Sequence, residues 1–68
     1  MNGKQFIKRS REWANANNLD FRVRSDLGKG GHQIVYVGDR LTIVKSGEIG
    51  PGLFHAMLRQ LNIPKKEF

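Results

Sequence analysis

Two histidines, three serines and no cysteine make up the reactive side chains of this chain. His32 stands apart because it follows Gly28-Lys29-Gly30-Gly31, a cationic glycine loop whose backbone N–H groups could meet a phosphate. Histidine titrates near neutral pH, so it can take a proton from a hydroxyl or give one to a leaving oxygen. With Lys29, Arg22, Arg24 and, further along, Arg40 as cations, the chemistry within reach is cleavage of an RNA phosphodiester. There the substrate's own 2′-hydroxyl attacks, and the protein supplies a base or acid and stabilises the charged transition state. The competing reading of the same residues is a plain hairpin connection followed by a surface histidine. His55 falls in the middle of a helical pattern, beside core positions, and reads as a surface residue.

Other chemistries lack the residues. Without cysteine, and with the histidines far apart and the carboxylates scattered singly, no metal-ligand spacing is present. Ser10, Ser25 and Ser46 lie in no nucleophile-elbow context. The glycine loop leads into a strand pattern rather than a helix, so it is not a dinucleotide fingerprint. No cofactor is expected.

The elements that must position these residues can be read from periodicity. Asn2 is an N-cap candidate for a helix over residues 3 to about 17. Phe6, Ile7, Trp13 and Ala14, with Ser10 among them, form its apolar stripe, while Lys4, Lys8, Arg11 and Glu12 face water. Asn15, Asn17 and Asn18 end it. The period then becomes two. Phe21 and Val23 are expected to face the core, which puts Arg22 and Arg24 together on the open face. Residues 25–31 form a loop and 33–37 a second strand. That strand is apolar on both parities; Val35 and Val37 are assigned inward, with His32, Ile34 and Tyr36 opposite. Gly38-Asp39 signals a two-residue hairpin, and residues 41–44 pair back as a third strand. After a loop over 45–50, Pro51 opens a second helix with Leu53, Phe54, Met57, Leu58 and Leu61 on its apolar side and His55 and Arg59 elsewhere. Asn62 caps it, Pro64 bars continuation, and Phe68 is free to tuck back. The expectation is one α+β domain over residues 1–68, helix, three-stranded antiparallel meander, helix. It is double-stranded-RNA-binding-domain-like, with both helices on one sheet face and the other face open.

Sixty-eight residues with twelve Lys and Arg against six Asp and Glu carry a formal charge of +6, with a pI near 10.4. So basic a small domain invites an anionic partner. No apolar run approaches the roughly 20 residues of a membrane span, and the first residues lack a signal-peptide core. A soluble, cytoplasmic chain without membrane contact is therefore expected.

Taken together, Gly28-Lys29-Gly30-Gly31-His32, Tyr36 with Gly38-Asp39-Arg40, Glu48-Ile49-Gly50-Pro51-Gly52-Leu53 and Ala56-Met57-Leu58-Arg59-Gln60-Leu61 resemble the HicA toxins of bacterial HicA–HicB toxin–antitoxin systems. The likeness includes the opening Gly3-Lys4-Gln5-Phe6-Ile7 and covers nearly the whole chain. It implies a double-stranded-RNA-binding-like fold and an mRNA interferase activity, with His32 as the catalytic residue and no metal or cofactor. It further implies neutralisation by a HicB-type antitoxin. In that reading Lys29, Gly30 and Gly31 hold phosphate, Arg22, Arg24 and Arg40 bind the RNA backbone, Tyr36 offers a stacking surface, and the toxin alone is monomeric. The chain departs from the family at Gly31, where a serine is usual, so that hydroxyl cannot be essential if this chain is active. A non-catalytic RNA-binding module is the alternative reading of the same basic face, and a domain docking an acidic protein a further one.

Overall fold

The computed structural model describes residues 1–25 and 31–68. Asn2 accepts the backbone N–H of Gln5 at 2.8 Å, and the Gln5 side chain accepts the N–H of Asn2 at 2.9 Å. This reciprocal cap starts helix α1, Gly3–Ala16. Phe6, Ser10 and Ala14 are buried along its inner side, and the Ser10 hydroxyl is satisfied by the Phe6 carbonyl. Asn18, at φ 56°, takes the left-handed turn that leads the chain away.

Three antiparallel strands follow, β1 (Phe21–Arg24), β2 (His32–Val37) and β3 (Arg40–Lys45), in the order β1-β2-β3. Gly38 and Asp39 reverse the chain in two residues, with Gly38 at φ 61° and Val37 paired to Arg40. Helix α2, Pro51–Leu61, begins at proline and ends at Asn62 with φ 60°. Beyond it Ile63 donates its N–H to the Leu58 carbonyl at 2.9 Å, and its side chain is buried. A single 3-10 turn, Lys65–Glu67, carries Phe68 back onto Phe6 and Phe54, with ring centroids 5.1 and 5.6 Å away.

The core joins both helices to one face of the sheet's middle and last strands. Phe6 and Ala14 of α1, Met57, Leu58 and Leu61 of α2, and Val35, Val37 and Val44 belong to one buried cluster, completed by Ile49 and Ile63. The buried Thr42 hydroxyl, on that same face, donates to Gln60 Oε1 of α2. At the other helix, Gly3 sits so close to β3 that a Cβ there would collide with the Lys45 carbonyl oxygen.

Two core expectations need correction. Val23 shares the face of Val35, its cross-strand partner, yet remains 36% exposed. β1 is a four-residue edge strand, and the fully buried inward residues of the sheet lie on β2 and β3. Leu53 was assigned to the apolar side of α2, but it is 48% exposed and borders a cleft instead of filling the core. Among the described residues no helix is long and apolar enough to cross a membrane.

Candidate functional site

β2 starts at His32, one residue earlier than its apolar composition predicts, because the pairing with β3 extends to Lys45. The two-residue turn dictates this register. Counting outward from Gly38-Asp39 brings Tyr36 against Leu41, Ile34 against Ile43 and His32 against Lys45. On the other side, Arg22 lies opposite Tyr36 and Arg24 opposite Ile34. Alternation then puts Arg22, Arg24, His32, Ile34, Tyr36, Leu41, Ile43 and Lys45 on one face, away from the buried Val35, Val37, Thr42 and Val44. His32, Arg22, Arg24 and Lys45 are all exposed there.

The cations stand at different removes from His32. Lys45 is its directly paired neighbour, roughly 5 Å away at Cβ, and Arg24 is a diagonal neighbour at roughly 7–8 Å. Arg22 is one pair further along β1, and its guanidinium lies 5.1 Å from the Tyr36 ring centroid, stacked over it. One face of that ring is thus already occupied, and what a base could meet there is the guanidinium plane as much as the phenol. Arg40 does not join this face. It shares the parity of Val37 and Thr42, at the far end of β3 from Lys45. Lys29 and Gly30 lie outside the described residues.

Gly31 is the last turn residue before the strand, at φ 71°. Its carbonyl accepts the Ser46 N–H at 3.2 Å. A Cβ built on it would approach the Ser46 hydroxyl oxygen to 2.5 Å. The hydroxyl of Ser46 therefore stands where a side chain at position 31 would go, next to the His32–Lys45 pair.

Along β3, His32 and Lys45 also border a cleft of about 780 Å³, walled by Leu53, Met57 and Gln60 of α2 and reaching Arg40. His55 is exposed on α2 and absent from that wall; its ring stands edge-on to Phe54 at 5.8 Å. Among the described residues no group of three His, Cys, Asp or Glu side chains could hold a metal ion.

Lys45, Ser46 and Gln60 were not singled out in the sequence. Lys45 could have been, since register counting from Gly38-Asp39 pairs it with His32. The next step of the same count puts Ser46 opposite Gly31; nothing local marks Gln60, whose placement depends on α2 packing beside β3. Comparisons with protein-family models, with curated proteins and with solved structures give no match to this chain.

Proposed function

We propose that this chain is a HicA-type mRNA interferase, an RNA-cleaving toxin held in check by a HicB-type antitoxin in the cytoplasm. The observation that carries the reading is His32 on an exposed sheet face with Lys45 paired to it and Arg24 diagonal to it. His32 takes the proton of a ribose 2′-hydroxyl as that oxygen attacks the adjacent phosphorus, or protonates the departing 5′-oxygen. Lys45 and Arg24 stabilise the added negative charge on the phosphoryl oxygens. The products are a 2′,3′-cyclic phosphate and a 5′-hydroxyl. A HicB-type partner fits the same face, since Leu41 and Ile43, 48% and 54% exposed along β3, give it an apolar side next to the basic residues of β1 and Lys45.

The test compares the wild type with His32→Ala on a purified transcript, alongside thermal melts. His32 is exposed and begins a strand, so its truncation is expected to leave the melt within about 0.5 kcal/mol of wild type and to abolish cleavage. A single 2′-deoxy substitution at the cut position is expected to block the wild type as well. Equal cleavage by His32→Ala would refute the assignment. RNA binding by the wild type with no cleavage would favour the non-catalytic RNA-binding module.

A further inference from the structure

β3 is an edge strand, so one side of it presents backbone groups unpaired within the sheet. The cleft beside it, about 780 Å³, is within the range that small ligands occupy. Its cations stand at the two ends of β3, Lys45 with His32 at one and Arg40 at the other; five residue steps of strand separate them by about 17 Å. Between them the wall is mostly apolar, with Leu53 and Met57 from α2, and its polar side chains are Thr42 and Gln60.

That amide is held in a particular way. The Thr42 hydroxyl, 1% exposed, donates to Gln60 Oε1. With Oε1 accepting from Thr42, the carbonyl end is turned toward the sheet and the two Nε2 protons are left for a ligand. An anchored amide of this kind offers donors. The bidentate pairing of glutamine with adenine also needs the carbonyl as an acceptor for the adenine amino group, and here Thr42 engages it.

The geometry points to this cleft as a nucleobase pocket for the RNA strand cut at His32. The inference rests on the RNA reading above and adds the kind of base preferred, one with a carbonyl, and the group that selects it. The strand runs along β3 with phosphates near Lys45 and Arg40, and one base enters over Leu53 with a carbonyl oxygen accepting from Gln60 Nε2. Uracil, guanine and cytosine each carry such a carbonyl; adenine has none and meets the donor only by turning a ring nitrogen to it. Arg40, on the wrong parity for the open sheet face, acquires a role as the far phosphate contact.

The experiment uses the inactive His32→Ala chain for binding of short end-labelled oligouridylate and oligoadenylate, and the otherwise wild-type chain for mapping cuts on a transcript. One hydrogen bond of ordinary strength gives uridylate an advantage of about fivefold. Gln60→Ala is expected to erase that advantage and to scatter the cut sites. Because Gln60→Ala strips Thr42 of its partner, Leu53→Asp serves as a second variant. It changes only an exposed wall residue and is expected to weaken both oligonucleotides while the melt stays put. Equal affinity for the two oligonucleotides, or a preference that survives Gln60→Ala, overturns the pocket. Cleavage at sites that both variants leave unchanged overturns the pocket and leaves the nuclease standing. Uridylate binding lost in Leu53→Asp, by a protein that cuts no RNA, keeps the pocket and overturns the nuclease.

Discussion

Gly31 and Ser46 show how a single residue's backbone can decide what its neighbour contributes. At φ 71° Gly31 occupies a region that costs an L-residue roughly 1–2 kcal/mol, and the space beyond its Cα is filled by the Ser46 hydroxyl. Placing a serine at position 31, where the HicA proteins it resembles usually carry one, should therefore harm this chain. Gly31→Ser is expected to lower stability by about 2 kcal/mol in denaturant melts, the backbone cost plus the collision. Adding Ser46→Gly should recover the collision part only, which a double-mutant cycle reads directly. A Gly31→Ser chain as stable as wild type would mean that Ser46 moves aside at no cost.

At the scale of elements, the site is held by devices remote from it. The Asn2–Gln5 capping box fixes where α1 begins, and the residue inside it, Gly3, touches the Lys45 carbonyl and donates its N–H to Gly47 at 2.9 Å. The start of α1 is thus packed against the end of β3 that faces His32. Asn2→Ala is expected to cost about 1 kcal/mol, the usual worth of a lost N-cap. Calorimetric melts measure this; no change would show that the cap is redundant beside the Gly3–Gly47 contact. The aromatic group of Phe6, Phe54 and Phe68 ties the chain's last turn to both helices. Phe6 meets Phe54 edge-on at 6.1 Å, and the Arg9 guanidinium lies 5.2 Å from the Phe68 ring centroid.

For the whole molecule the governing quantity is charge. With +6 on 68 residues, affinity for RNA should fall steeply with salt. Arg22 sits on the exposed sheet face and Lys8 on the exposed side of α1. Arg22→Gln, made in the His32→Ala background, is expected to reduce the slope of log affinity against log salt by roughly 0.7, the value of one single-strand phosphate contact. Lys8→Gln should leave it unchanged. The reverse result would place RNA against the helices instead of the sheet. The same face should also be the one an antitoxin takes. Competition titrations are expected to show antitoxin and RNA excluding each other, with Ile43→Asp weakening the antitoxin by more than tenfold, about 1.4 kcal/mol. A ternary complex with RNA still bound at His32 would rule out occlusion.

The sequence by itself determined the element order, the turns and the helix ends, because those depend on local chemistry: Asn2 as N-cap, Asn18 and Asn62 in left-handed geometry, Pro51 at a first helical position, Gly38-Asp39 in a two-residue turn. By composition it left the inward parity of β2 open; Val35 and Val37, assigned inward, are buried, and alternation then puts Arg22 and Arg24 on the other face with His32. What it could not determine was how completely each inward residue is covered, as Val23 and Leu53 show; coverage depends on where helices end up over a sheet. Nor could it set Gln60 against Thr42 along the edge of β3; Arg40 beside Val37 and Ser46 opposite Gly31, by contrast, follow from counting outward from Gly38-Asp39. The contact of Gln60 with Thr42 joins segments distant in the chain, and only α2 coming to lie beside β3 creates it.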